Sequence, residues 1–204
     1  MATIRGVVSV SNLPVPIFLG YCAKATWIPR EEWRSAWSAH VGEIASVSEC
    51  LSARAPNWVD RWDFNRSTCW NDEASALAAV PAASLPQFRV FCYRLVPILF
   101  ATSGDPRSVS IDELFPDSLP GLPNEPDLSS HQRFGYDIVQ SPGKLSILGF
   151  GCSPLSCNGM ADEIAVNRYC PLDELDNAFP VARRFGVERP EPGLYVIIEV
   201  LSRS

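Results

Sequence analysis

Three cysteines lie close together in a glycine-rich stretch of the chain. They are Cys152, Cys157 and Cys170. Zinc sites use thiolates and imidazoles as ligands, often with two cysteines a few residues apart and further ligands from elsewhere. The sequence has two histidines, His40 and His131, and His131 is the nearer to this stretch. One hypothesis is therefore a zinc site formed by Cys152, Cys157, Cys170 and His131.

The same thiols allow two other kinds of chemistry. Cys157 or Cys152 is a candidate nucleophile with His131 as the base and Asp137 or Asp162 orienting it, because a thiolate needs a partner that lowers its pKa. Alternatively, Cys152 and Cys157 form a disulfide on oxidation. No protease or hydrolase signature surrounds either cysteine. The competing interpretation is that these thiols are small buried apolar side chains, with no metal and no cofactor bound.

A polar group follows the first two cysteines. It consists of Asp162, Glu163, Asn167 and Arg168. Such a set can bind a small ligand or a phosphate. An internal network of ion pairs that fixes the loop is the interpretation we favour, because buried charged groups need partners.

The stretch 103–130 is rich in proline and acidic residues, and Arg107 is its single basic residue. A loop of this length inside a compact domain is either a functional flap or a segment that wraps the fold. Residues 110–115 are predicted to form one helical turn within it. We expect its carboxylates to contact a basic protein partner; the candidates are Asp112, Glu113, Asp117, Glu125 and Asp127.

Charge and hydropathy exclude several classes of protein. The formal net charge is −6, and the acidic excess lies in the second half of the chain. A surface of that sign repels phosphate backbones, so nucleic-acid binding is not expected. No apolar run approaches the length of a membrane span, and polar residues and prolines interrupt the first apolar stretch, which argues against a signal peptide. Scattered cysteines then indicate reduced thiols in a cytoplasm, and the preference for Arg over Lys indicates a bacterial genome.

The elements that must position these residues follow from periodicity. Extended segments are predicted at 15–23, 88–100, 133–140, 145–150 and 193–201, the last of them buried on both faces. Helices are predicted at 71–79 and 172–185. A further helix begins at Pro29, with an apolar stripe at spacings of three and four: Trp33, Trp37, Val41, Ile44, Val47 and Leu51. A segment around Trp58 and Trp62 is expected to pack against it.

Together these elements predict a single α+β domain over residues 1–204. Its mixed or mainly antiparallel sheet has five to six strands, packed by two or three helices, with the acidic Pro-rich loop 103–130 attached. No internal repeat is evident in the sequence. Because a catalytic signature is missing, the leading hypothesis is a non-catalytic bacterial interaction module, of the immunity or accessory-subunit type, that binds a basic protein. The alternative is a small cysteine-dependent enzyme or zinc-bound module centred on Cys152 and Cys157.

Overall fold

The structure is a computed structural model. It describes residues 14–29, 40–48, 50, 53–54, 64–101, 106–115, 118, 120–141, 150–157, 163–188 and 193–203. Several predicted segments lie outside these residues: most of the helix predicted to begin at Pro29, the segment around Trp58 and Trp62, and the extended segment 145–150 apart from its last residue.

The core of the fold is one antiparallel sheet of five strands. They are β1 (Ile17–Ala25), β2 (Phe88–Phe100), β3 (Arg107–Ser108), β4 (His131–Gln140) and β5 (Tyr195–Arg203). Their order is β1-β2-β5-β4, and the short β3 pairs with β2. The predicted α+β class and antiparallel sheet are thus confirmed.

Strands β2 and β5 occupy the centre of the sheet, as their dense apolar and β-branched sequences require. Alternate residues of β5 enter two separate apolar clusters: Val196, Ile198 and Val200 lie in one, and Tyr195 and Ile197 in the other. This confirms the prediction that the last strand is buried on both faces. Prolines cannot donate to a ladder, and accordingly the β2–β5 register shifts between Val96 and Leu99, around Pro97.

Short helices connect the strands. They are α1 (Glu73–Ala78), a 3₁₀ helix at Ala82–Gln87, α2 (Ile111–Leu114), α3 (Pro154–Cys157) and α4 (Leu175–Glu188). The carboxylate of Asp72 caps α1 by accepting from the Ser75 N–H at 2.8 Å, and Ser110 and Glu113 form a capping box on α2. Both starts were predicted from sequence. Within the described part of the chain, no helix has the length and apolar character needed to cross a bilayer.

The helix predicted to begin at Pro29 does not extend through residues 41–48. Val41, Ile44 and Val47 are buried, as their spacing indicated, but this segment is not helical. Its N–H groups bond to distant carbonyls instead: that of Ile44 donates to Trp27 at 2.9 Å, and that of Ala45 to Tyr169 at 2.9 Å. Burial in this segment is continuous from Ile44 to Ser48 and arises from contacts of the loop with neighbouring elements, not from one face of a helix.

A structural repeat that the sequence did not reveal organises the described fold. Each unit contains a strand, an asparagine loop, a helix and a second strand. The first unit is β1, residues 65–72 (the first Asn loop), α1 and β2; the second is β4, residues 167–174 (the second Asn loop), α4 and β5. The units meet through β2 and β5.

The two Asn loops have the same internal hydrogen bonds. The side-chain amide of Asn65 donates to the Leu19 carbonyl at 2.8 Å, and that of Asn167 donates to the Phe134 carbonyl at 2.7 Å. Both asparagines also accept, through Oδ1, from the N–H two residues later. The residue three positions after each asparagine has a positive φ, 63° at Thr68 and 78° at Cys170.

Each loop also pairs with a glycine-tyrosine step in its strand. Tyr21 exchanges two backbone hydrogen bonds with Trp70, and Tyr136 exchanges two with Leu172. The preceding glycine has a φ of +127° at Gly20 and +134° at Gly135, in the region that side chains disfavour. A Cβ at either glycine would lie 2.5 Å from the carbonyl oxygen of the facing loop. The close approach of loop to strand therefore requires glycine twice.

Candidate functional site

Three thiols from two segments that are distant in sequence meet beside the end of β4. The Sγ atoms of Cys50, Cys152 and Cys157 all lie within 4.8 Å of one another, and we call these residues the thiol cluster. Cys50 Sγ and Cys152 Sγ are 3.1 Å apart. Cys50 is exposed and the other two are half-buried, so the thiol cluster opens to solvent on one side.

The segment that carries Cys152 and Cys157 is fixed to the end of β4. Gln140 donates its N–H to the Cys152 carbonyl at 2.9 Å, and Gly151 donates to the Gln140 carbonyl at 3.1 Å. Ser153 then begins the α3 turn, since its carbonyl accepts from the Cys157 N–H at 2.8 Å. A proline at the first position of the turn has no N–H to leave unpaired. The turn directs Cys157 back toward Cys152.

Cys50 reaches the cluster from a segment held by two buried charged residues. Lys24 of β1 is fully buried, and its Nζ donates to the carbonyls of Ser46 at 2.9 Å, Val47 at 3.0 Å and Ser48 at 2.5 Å. Asp137 of β4 holds the same segment from its other side, through the N–H of Val47 at 2.8 Å and the hydroxyl of Ser46 at 2.9 Å. Residues 46–48 thus bond both to β1 and to β4, the two outer strands in the order β1-β2-β5-β4.

Asp137 also fixes the second cysteine segment. Its other carboxylate oxygen accepts from the Ser153 hydroxyl at 2.5 Å and from the Ile138 N–H at 2.9 Å. Burial raises the pKa of the Asp137 carboxyl, and these hydrogen bonds oppose that rise. One buried carboxylate therefore positions both segments that supply thiols.

Hydroxyl groups line the protein side of the thiol cluster. The Oγ of Ser48 lies 3.0 Å from Cys157 Sγ, and that of Ser156 lies 3.7 Å from it. Burial raises the pKa of the Cys157 thiol, while the Ser48 and Ser156 hydrogen bonds act in the opposite direction. The neutral thiol is therefore favoured at Cys157, and a cation would have to displace its proton.

The structure places Cys170 and His131 apart from the thiol cluster. Cys170 is buried, its Sγ donates to the Leu155 carbonyl at 3.3 Å, and burial raises its pKa strongly. His131 begins β4, whereas the Cys152 segment bonds to Gln140 at the end of that strand. A strand of this length separates its ends by about 30 Å. The His131 ring instead lies 6.0 Å from that of Tyr21, and the other histidine, His40, donates Nε2–H to the Val166 carbonyl.

The polar residues that follow the cysteines do not form one group. Asp162 lies outside the described residues. Glu163 pairs with Arg184 at 2.8 Å, and Asn167 is committed to the second Asn loop. Arg168 is exposed and lies over the Tyr169 ring, 4.6 Å from its centroid.

Four of the five predicted partner-binding carboxylates are engaged within the molecule; Asp117 lies outside the described residues. Asp112 pairs with Arg66 at 2.7 Å and Glu125 with Arg94 at 3.3 Å. Hydrogen bonds from Ser110 and Arg107 hold the pKa of Glu113 below its usual range. The backbone N–H of Ser129 does the same for Asp127. The pairs with Arg66 and Arg94 attach the Pro-rich loop to the fold, and the other two sets of contacts lie within the loop.

Sequence reasoning missed Cys50 and Lys24. Cys50 is about a hundred positions from its partners, and nothing in its neighbours distinguishes it from the other cysteines. Lys24 did carry a signal: it is one of two lysines in the chain and stands inside an apolar strand. Buried lysines require hydrogen-bond acceptors, so its position indicated a polar centre next to β1. Comparison of the chain with protein-family models, curated proteins and solved structures finds no match.

Proposed function

We propose that the protein binds a thiophilic cation, Zn²⁺ or Cu⁺, through Cys50, Cys152 and Cys157. The observation that carries the proposal is the convergence of three sulfur atoms, from two distant segments, within 4.8 Å. Thiolates select these two ions over harder cations. Two buried charged residues, Lys24 and Asp137, hold the segments in this arrangement, which favours a prepared site over a chance contact.

The distances support three thiolate ligands on one ion. Zn–S bonds of about 2.3 Å in a tetrahedral site place sulfurs about 3.8 Å apart. Cys50 and Cys152, now 3.1 Å apart at Sγ, would separate by less than about 1 Å to reach that spacing. Among the residues that the structure describes, no fourth ligand atom accompanies the three sulfurs, so a solvent molecule or an added ligand would take that position. Sites with three protein ligands and one open position exchange ligands more readily than closed ones.

A thiol-dependent enzyme has less support. Nucleophilic cysteines need a depressed pKa, which a neighbouring imidazolium, lysine or helix N-terminus provides. Burial has the opposite effect at Cys157, and His131, the base predicted from sequence, lies at the far end of β4. Metal coordination does not require a low thiol pKa in the free protein, because the bound ion itself displaces the protons.

Binding of a basic protein through the acidic loop stays a prediction. Its support is the net charge of the chain. The internal pairing of Asp112, Glu113, Glu125 and Asp127 weakens it, since carboxylates already bonded to arginine or backbone N–H groups offer less to a partner.

Metal titration of the reduced protein tests the proposal. Co²⁺ is used first, because thiolate coordination gives intense absorption, and Zn²⁺ and Cu⁺ then compete against chelators of known affinity. Each of the variants Cys50→Ser, Cys152→Ser and Cys157→Ser should weaken binding by more than about 100-fold, because the loss of even an outer partner of a ligand costs about 10–100-fold. Cys92→Ala, buried in β2, serves as the matched control and should leave affinity unchanged. Equal loss in Cys92→Ala, or no thiolate absorption in the unmodified protein, would overturn the assignment.

A further inference from the structure

A surface cavity of about 390 Å³ borders the second Asn loop. Residues of β4 and of the loop line it, among them Gln132, Arg133, Asn167, Arg168, Asp173 and Glu174. The guanidinium of Arg168 is exposed, and within the described chain it pairs with no carboxylate. This cavity is independent of the thiol cluster.

In the first Asn loop, the position that corresponds to the cavity can be identified from the repeat. The repeat places Arg66, one residue after Asn65, in the position of Arg168, one residue after Asn167. Arg66 is mostly buried under the Pro-rich loop, with 14% of its side chain exposed. The equivalent of the cavity is thus filled in the first unit by a segment of the chain itself.

Three contacts attach that segment to Arg66. The guanidinium bonds to the Asp112 carboxylate at 2.7 Å and donates to the Phe115 carbonyl at 3.3 Å. The backbone N–H of Arg66 donates to the Pro120 carbonyl at 2.8 Å. Through its guanidinium and its backbone N–H, Arg66 thus binds one acidic side chain and two main-chain carbonyls of a Pro-rich stretch.

Arg168 presents the same groups, and no segment among the residues that the structure describes bonds to its guanidinium. Its carbonyl is used on the inner side, where it accepts from the N–H groups of Gly42 and Glu43. Its side chain and the cavity remain on the outer side, where in the first unit Asp112, Phe115 and Pro120 contact Arg66. The half-buried ring of Tyr169, 4.6 Å from the guanidinium, supplies an apolar surface beside the charge.

The charges around the cavity determine where an acidic group can enter. Asp173 and Glu174 repel a carboxylate from one side, and Glu174 lies 3.8 Å from Arg133. Arg133 is further shared with Glu199 and with the Tyr136 hydroxyl. Arg168 is consequently the arginine of this cavity that remains for a ligand.

We propose that the cavity at the second Asn loop binds an acidic, proline-containing peptide segment of a partner protein, as the first Asn loop binds Asp112, Phe115 and Pro120. The ligand carboxylate contacts the Arg168 guanidinium, and a ligand main-chain carbonyl accepts from the Arg168 N–H. The partner supplies the negative charge, and this protein supplies the arginine.

A synthetic peptide that copies residues 108–122 tests the proposal, because Asp112, Phe115 and Pro120 of this sequence already contact the equivalent arginine. Fluorescence anisotropy of the labelled peptide with the full chain measures binding. Arg168→Ala should weaken binding about ten-fold or more, the usual effect of losing one charge-assisted hydrogen bond. A peptide carrying asparagine in place of the residue copied from Asp112 should lose a similar factor.

Arg183→Ala, on an exposed face of α4 away from the cavity, is the matched control and should bind like the unmodified protein. Arg168 is exposed, so its replacement leaves the fold intact, which circular dichroism checks. Binding that Arg168→Ala does not change, or that the asparagine peptide retains in full, would overturn the proposal. So would a failure of the peptide to bind at millimolar concentration.

Discussion

Replacement of Lys24 by methionine is the most direct test of how the thiol cluster is positioned. Methionine keeps the length and apolar stem of lysine but removes the ammonium. The carbonyls of Ser46, Val47 and Ser48 then lose the donor they share. Because Lys24 is fully buried, water cannot replace that donor without opening the core.

The expected loss follows from those three contacts. A buried acceptor left without a partner costs about 1–3 kcal/mol. The three carbonyls share one donor and relax together, so we expect a combined loss of about 3–5 kcal/mol, similar to the breaking of a buried ion pair. Domains are stable by about 5–15 kcal/mol in total, and the variant should therefore unfold at a much lower urea concentration.

Equilibrium urea unfolding of the reduced protein, followed by fluorescence, measures this loss. Arg203→Met is the matched control, since Arg203 is exposed at the end of β5 and pairs with Glu73 at 3.1 Å. That variant should lose less than about 1 kcal/mol. Should Lys24→Met lose no more than Arg203→Met, the buried ammonium is not what holds residues 46–48, and our account of the thiol cluster fails.

Three further predictions concern the loops, the buried carboxylate and the thiols. Gly135→Ala and Gly20→Ala should each reduce the free energy of unfolding by more than about 2 kcal/mol, because the φ is positive and a Cβ would lie 2.5 Å from a carbonyl oxygen. Burial raises the pKa of Asp137. Its contribution to stability is thus fully present below about pH 4, the unfolded value, and is lost as pH rises through the folded value. Mild oxidation with diamide should join Cys50 to Cys152, whose sulfurs are 3.1 Å apart, with loss of one hydrogen from each thiol to the oxidant.

Each of these has its own control. Gly121→Ala should change stability by less than about 0.5 kcal/mol, since no atom lies within 4 Å of its added Cβ. The stability difference between the unmodified protein and Asp137→Asn should narrow as pH rises, and a difference that widens contradicts the sign given above. Peptide mapping after oxidation identifies the disulfide; a Cys152–Cys157 bond in its place would show that α3 rearranges.

Local rules were sufficient to predict most elements of the sheet. The bounds of β2 follow from its run of aromatic and β-branched residues, and α1 and α2 follow from their capping residues Asp72 and Ser110. Periodicity failed at Val41, Ile44 and Val47. Their burial comes from contacts with Trp27 and the second Asn loop, and spacing alone does not distinguish such contacts from one face of a helix.

The site was less predictable, because its partners meet through the topology of the sheet. Cys152 and Cys157 were predicted as a pair from their local spacing. The position of Cys50 beside them depends on the contacts of Lys24 and Asp137 with the segment before it, and these contacts are distant in sequence. The repeat escaped notice for a related reason. Its few shared residues are a Gly-Tyr step and an Asn-Arg step, and the connection between them is longer in the first unit than in the second.

The position of both Asn loops in one polypeptide has a consequence for how they can change. In a pair of identical chains, every substitution alters both copies of a loop together. Here Arg66 and Arg168 are encoded separately, so one copy can keep its covering segment while the other loses it. Mutation can therefore change the exposed Arg168 loop without disturbing the Arg66 loop, which is covered and contributes to the packing of the fold.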